Sequence, residues 1–260
     1  SEEFKATQQQ RLIDADYNIA VGYLALSADT LGSRSVAMGY SALANQNFTS
    51  ATDSYNTAIG HSAGAAVTTG VRNTLIGGLA GDALTDADFN VALGFGALST
   101  ETLGSKNVAI GSEALHSQNF TSATDSFNTA VGVNAGYSVS TGTNNTFIGG
   151  LAGDANTTGS GLTAIGKDAL GGNTTGSNNT AVGNGTLVSN TTGTANVAVG
   201  TGINGVDVGT LALNTTGSNN TAMGHQALRS NTTADNNTAV GKSALLANTT
   251  GTRNNALGAN

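Results

Sequence analysis

The stretch NTTGSNNTAVGNGTLVSNTTG, residues 173–193, opens and closes on the same four residues, and its frame runs through nearly the whole chain. Aligned on the pattern Asn-x-Ala-(apolar)-Gly, the motif glycine recurs at Gly22, Gly39, Gly60, Gly77, Gly94, Gly111, Gly132, Gly149, Gly166, Gly183, Gly200, Gly224, Gly241 and Gly258. Successive glycines keep a 17-residue spacing, with wider steps only from Gly39 to Gly60, from Gly111 to Gly132 and from Gly200 to Gly224. Insertions after which the frame resumes behave as loops on a repeating scaffold, the mark of a solenoid. A longer period lies over the first. ADYNIAVG at 15 returns as ADFNVALG at 87, and QNFTSATDSYNTAIG at 46 returns as QNFTSATDSFNTAVG at 118, so a block of four coils is duplicated in the chain.

Within a unit, NTAVG alternates as an extended strand does, which puts the Thr or Val at its second place and the Val, Ile, Leu or Met at its fourth on one face, with Ala on the other. The glycine then permits a bend. A second short extended piece, such as HQAL or KSAL, carries a Leu to meet the first strand's apolar residue, and NTTG or DTLG closes the coil. One coil cannot bury its apolar face alone. Stacked at about 4.8 Å per layer, the strands become a parallel sheet and the leucines a ladder. The Asn that begins twelve of the fourteen units is expected to stack as well, taking a left-handed turn conformation and pairing its amide with the next layer.

Composition agrees with a thin solenoid and excludes several functions. Of 260 residues only 10% are charged and 5% aromatic, while 37 are Gly, too little bulky apolar mass for a thick core. A net charge of -7, with nine unclustered Lys and Arg, argues against nucleic acid or an anionic membrane as partner. Without Cys there is neither a disulfide framework nor a thiolate metal site. Apolar runs are only a few residues long, so no membrane insertion by this stretch is expected. The chain starts at SEEFK and stops inside a repeat at NNALGAN, as an excised piece of a longer fibre would.

NTAIG at 56–60, NVAIG at 107–111 and NVAVG at 196–200, each followed after two variable residues by Ala and usually Leu, resemble the head repeats of trimeric autotransporter adhesins, the YadA-like head. The match covers residues 18–258. This resemblance implies a left-handed parallel β-roll, three chains about a common axis, and bacterial attachment at the cell surface. The 17-residue period is longer than is usual for that family. Similar long-turn repeats occur in phage tail fibres, which makes a virion receptor-binding segment the close alternative. The alanine line (Ala20, Ala37, Ala58, Ala92, Ala109, Ala130, Ala164, Ala181, Ala198, Ala222 and Ala239) is read as an outer face narrow enough for another chain to approach. Residues 1–16 lack the repeat and, with Phe4, Arg11 and Leu12, are expected to form a short helix or cap, leaving 17–260 as the roll.

No chemistry is expected of this chain. His61, His116 and His225 lie in separate coils, and the place of His61 and His225 after the motif glycine is filled in other units by Tyr40, Gly78 or Lys242. Asp82, Asp86 and Asp88 form the densest acidic group but have no counterpart triple in the duplicated block, so they read as turn residues rather than a calcium site. No base stands at a repeating distance from any Ser or Thr, so no catalytic residue, metal or cofactor is assigned. Three surfaces are candidates for ligand binding. Tyr23, Tyr40 and His61, with Phe95 further on, line up after the motif glycine as an aromatic stripe suited to a glycan. The insertions at 47–55 and 119–127 carry Phe48, Tyr55, Phe120 and Phe127, either displayed or folded back over the roll. TGINGVDVG at 201–209 breaks the frame with Ile203, Val206 and Asp207. The expected function is a homotrimeric fibre head that binds a host, prey or matrix ligand. From another class, Thr57, Thr74, Thr129, Thr146, Thr180, Thr221 and Thr238 form the regular hydroxyl array of an ice-binding solenoid.

Overall fold

A computed structural model describes residues 16–202 and 209–259 as an all-β parallel solenoid, with no helix among the described residues. The N-terminal cap expected over residues 1–16 therefore lies, Asp16 aside, outside the described residues. The chain divides into two compact units, Ser1–Phe127 and Asn128–Asn260.

In the first unit the strands are β1 (Ile19–Val21), β2 (Gly32–Ser33), β3 (Val36–Met38), β4 (Thr52–Asp53), β5 (Thr57–Ile59), β6 (Thr74–Ile76), β7 (Val91–Leu93), β8 (Gly104–Ser105), β9 (Val108–Ile110) and β10 (Thr124–Asp125). Six of them, β1, β3, β5, β6, β7 and β9, pair in parallel with identical motif places in register, so that Val36 meets Thr57 and Met38 meets Ile59. The short pairs β2 with β4 and β8 with β10 form where the two insertions, at 47–55 and 119–127, add a wall to the coil. In the second unit, β11 (Thr129–Val131), β12 (Thr146–Ile148), β13 (Thr163–Ile165), β14 (Thr180–Val182), β15 (Val197–Val199), β16 (Thr221–Met223), β17 (Thr238–Val240) and β18 (Asn255–Leu257) make an eight-strand ladder of the same kind. Each coil thus has one strand at the place NTAVG predicts.

The rest of the coil departs from expectation. The Leu-bearing piece is a run of turns in which alternate residues adopt the left-handed conformation, as at Ser41 (φ 54°) and Leu43 (φ 49°). Its backbone still bonds from layer to layer: Leu43 N–H donates to Ala63 O at 3.1 Å and Ser41 N–H to Tyr23 O at 2.8 Å. Stacking therefore satisfies the main chain outside the strand as well as in it. At the bend, Gly60 has φ +140°, and a β-carbon there would run into the carbonyl oxygen of Gly77. No other residue fits that place.

The two faces of the strand are also inverted relative to expectation. Ala37, Ala58, Ala92, Ala109 and, in the second unit, Ala130, Ala164, Ala181, Ala198, Ala222 and Ala239 are all fully buried inside the coil, while Ala20, on the terminal strand β1, is exposed. Their interior partners are the turn leucines and the motif asparagines. The Val, Ile, Leu or Met at the fourth place points outward instead: Ile59 is 37% and Leu93 41% exposed. The reason is volume. A coil that already holds Leu43 or Leu98 and a buried Asn has room beside them for a methyl group only. Where two successive coils replace the turn leucine by glycine, Gly64 with Gly81 and Gly136 with Gly153, the first keeps its alanine (Ala58, Ala130) and the second enlarges it to Leu75 or Phe147, both fully buried.

Polar groups hold the interior together. Asn56 Nδ2 donates to Gly70 O at 2.7 Å, across the coil, while Asn56 Oδ1 accepts the N–H of Asn73 in the next layer at 2.9 Å. The same pair of bonds recurs at Asn73 and Asn90 and, in the second unit, at Asn145, Asn179, Asn196 and Asn220. Stacking of the asparagines is as expected. The left-handed residue, however, is the one before each Asn, such as Tyr55 or Asn144. A second amide ladder runs through the NTTG turns of the second unit, where Asn173 Nδ2 donates to Asn156 Oδ1 at 2.9 Å and Asn190 Nδ2 to Asn173 Oδ1 at 2.7 Å.

Candidate functional site

Because each coil places the same motif position at the same corner, outward side chains are sorted into columns along each unit. Chain order sets their sequence across the surface: the residue before the buried Asn, then the Thr or Val column, then the aliphatic column, then the residue after the motif glycine.

The aliphatic column is Val21, Met38, Ile59, Ile76, Leu93 and Ile110 in the first unit, and Val131, Ile148, Ile165, Val182, Val199, Met223, Val240 and Leu257 in the second, every member exposed or half-buried. An ordered apolar ladder on a water-facing sheet is uncommon, since a half-solvated sheet normally turns polar residues outward. Beside it, the Thr and Val column includes Thr57, Thr74, Thr129, Thr146, Thr180, Thr221 and Thr238, all outward.

After the motif glycine, the structure brings three predicted site residues together. Tyr23 and Tyr40 stack with ring centroids 5.6 Å apart, and Tyr40 and His61 with centroids 5.2 Å apart and planes inclined by 10°. All three rings are exposed. Phe95 stands apart from this stack, because Gly78 fills the layer between and the Phe95 ring leans over it, with Cδ2 3.5 Å from where a β-carbon on Gly78 would sit.

The insertions divide in two. Phe48 and Phe120 are folded back, only 6% and 7% exposed, and their rings rest on Gly32 and Gly104. Beneath them lie buried carboxylates: Asp29 accepts from Gly32 N–H at 2.9 Å and Gln46 Nε2 at 2.8 Å, and Glu101 accepts from Gly104 N–H at 2.6 Å and Gln118 Nε2 at 2.8 Å. Burial pushes the Asp29 carboxyl above its ordinary value, against the bonds from Gln46 and the backbone that favour its charge. Tyr55 and Phe127, at the ends of the insertions, are exposed. Ile203, Val206 and Asp207 lie outside the described residues.

The acidic cluster serves the stacking. Asp86 Oδ1 accepts from Thr69 Oγ1 at 2.6 Å and Asp88 Oδ1 from Val71 N–H at 2.8 Å, each bond joining neighbouring layers. Among the described residues no group of three His, Cys, Asp or Glu is placed to hold a metal ion.

A further column escaped the sequence reading. The residue before the first motif place, Asn in every coil here but that of Ser35, is, coil by coil, Tyr17, Arg34, Tyr55, Arg72, Phe89, Lys106 and Phe127, an aromatic and a cation in strict alternation. The Arg34 guanidinium lies over the rings of Tyr17 (5.3 Å) and Tyr55 (5.7 Å), Arg72 over Phe89 (5.1 Å), and Lys106 Nζ over Phe127 (5.2 Å). Reading the sequence down a repeat column, instead of along the chain, would have revealed it.

No family model, curated protein or solved structure matches the chain.

Proposed function

We propose that the chain is a non-catalytic, adhesive segment of a surface fibre that works as a homotrimer and binds a cell-surface or matrix ligand. The observation that carries this reading is the outward aliphatic ladder, which gives each unit a regular apolar strip that another copy with the same layer spacing can meet rung for rung. The subunit face is therefore assigned to this ladder and not to the alanine line, which is spent inside the coil. Three is the subunit number that the YadA-like head resemblance implies. The stacked Tyr23, Tyr40 and His61 supply an exposed row of aromatic edges for the ligand.

Light scattering on the purified chain tests the assembly. A mass three times that of one chain is expected, and a single-chain mass at micromolar concentration would overturn the proposal. A second reading has the outward Thr column in its favour, as an ice-binding face. Thermal hysteresis with ice shaping by a monomer would establish it, and absence of hysteresis would end it.

A further inference from the structure

We infer that the alternating column Tyr17, Arg34, Tyr55, Arg72, Phe89, Lys106 and Phe127 is a binding track for an extended, uncharged, β-linked polysaccharide. This rests on the reading of the chain as a ligand-binding fibre and names the ligand class and the residues that take it. Between residues 16 and 127 the chain has nine acidic residues and three basic ones, and all three basic residues fall in this column at every second layer. A random scatter of surface charge does not sort itself so.

The backbone argues that the side chains are there for use. Every member of the column has a left-handed conformation, from φ 50° at Tyr55 and Phe127 to φ 64° at Arg34. That conformation disfavours bulky side chains and is tolerated best by Gly and Asn. The same place in the second unit is Asn144, Asn178, Asn219 and Asn236, at φ 58° to 60°, with Gly161, Ala195 and Arg253 in the remaining coils. From Tyr17 to Phe127 no member of the column is Gly or Asn, so the first unit holds seven large side chains at a place where four of the second unit's coils use asparagine.

Geometry and charge select the ligand. Exposed rings recur every second layer, a rise of about 9.6 Å. In a flat β-1,4-linked hexose chain, successive sugars face opposite ways, so the same C–H face returns once per disaccharide, a length close to two layers. The exposed sides of rings at that interval meet every second sugar, while the intervening cations, with Asp53 and Asp125, offer hydrogen bonds to hydroxyl groups. An anionic polymer is disfavoured because Arg34 is paired with Asp53 at 3.2 Å and Lys106 with Asp125. The track lies beyond the Thr and Val column from the aliphatic ladder, beside the proposed subunit face and not on it.

The test is calorimetric titration of the full chain with β-1,4-linked glucose and β-1,4-linked N-acetylglucosamine oligomers of two, four and six sugars, with parallel thermal melts and mass measurements. Tyr55→Asn and Phe89→Asn are the variants, since Asn suits the conformation. The track predicts that one of the two series binds with an affinity that climbs with each added disaccharide. Each variant weakens that binding roughly three- to tenfold, with no fall in melting temperature and an unchanged subunit number. Failure of both hexasaccharides to bind overturns it. So does binding of heparin alone that salt abolishes, which would mark an anionic ligand. Variants that lower the melting temperature without changing affinity would make the column a structural clamp, and variants that change the subunit number would make it a seam. A chain of threefold mass that binds no oligosaccharide refutes the track and leaves the fibre reading standing, whereas a monomer that binds does the reverse.

Discussion

Asn56 and Asn73, one coil apart in sequence, are joined by one side chain: Asn56 Oδ1 accepts the Asn73 backbone N–H at 2.9 Å, and both residues are fully buried. The amide reads the layer above and the far wall of its own coil at once. It fixes the spacing of the stack in the same way that β pairing does, and it does so on the inside, where water cannot compete.

Removal of one rung should therefore cost more than the loss of one hydrogen bond. In Asn73→Ala, the carbonyl of Ala87 and the N–H of Asn90 lose partners at 2.7 and 2.9 Å with no water to replace them. Destabilisation of roughly 2–5 kcal/mol is expected in chemical denaturation. A change below about 1 kcal/mol would show that the layers are held by the strands alone.

The motif glycine is the second fixed point. Gly60→Ala places a β-carbon against Gly77 O in a conformation that alanine avoids, and should cost about 2 kcal/mol or more. Gly78→Ala is the control, because its β-carbon would meet only the Phe95 ring at an ordinary 3.5 Å. It should remain within about 0.5 kcal/mol of the parent. Equal effects at the two sites would contradict the packing described for the bend.

Core volume is shared between strand and turn. Leu75 Cδ1 lies 2.6 Å from where a β-carbon on Gly64 would sit, and Leu75 Cδ2 lies 2.8 Å from the equivalent point on Gly81. Leu75→Ala should cost about 2–5 kcal/mol, and Gly81→Leu alone about 1–3 kcal/mol by overpacking. Together they restore the Ala-and-Leu pairing of Ala37 and Leu43, with Leu84 in the place of Gln46, so the double variant should recover at least about 1 kcal/mol of the summed loss. Simple additivity in the thermodynamic cycle would refute the exchange.

This exchange also explains what the sequence could and could not reveal. The period, the strand at NTAVG, the insertions and the stacked asparagines follow from spacing alone. Alternation says that Ala and Val lie on opposite faces without saying which is inside. Hydrophobicity favours Val, but the turn leucine has already taken the space. The clue was Leu75 and Phe147, which appear at the alanine position only where the turn leucine is lost to glycine. At the surface, Tyr23, Tyr40 and His61 were legible as a stripe because they share one motif place. Arg34, Arg72 and Lys106 carry no such signal along the chain, since two full coils of sequence separate each from the next and only stacking brings them into one column.

Acidity should strengthen the fold before it weakens it. Burial raises the carboxyls of Asp29, Asp82 and Asp154 above the ordinary 3.8. Each therefore keeps its proton in the folded chain at a pH where the unfolded chain has released it. Their contribution to stability is full below 3.8 and is lost as pH rises through the folded value. On lowering the pH from neutral toward that window, the denaturation midpoint of the parent should rise relative to that of Asp82→Asn/Asp154→Asn. A relative fall would contradict the burial of these groups.

The subunit face is open to a direct measurement, because the chain has no Cys and one introduced thiol reports alone. Ile165→Cys places it on the outward ladder, and Ala164→Cys one residue away inside the coil. After mild oxidation, a denaturing gel should show Ile165→Cys as covalent pairs with one chain in three unpaired, as a threefold axis requires, and Ala164→Cys as single chains. Single chains for Ile165→Cys at a concentration where the protein is assembled would contradict the assignment of the aliphatic ladder as the surface on which three copies meet.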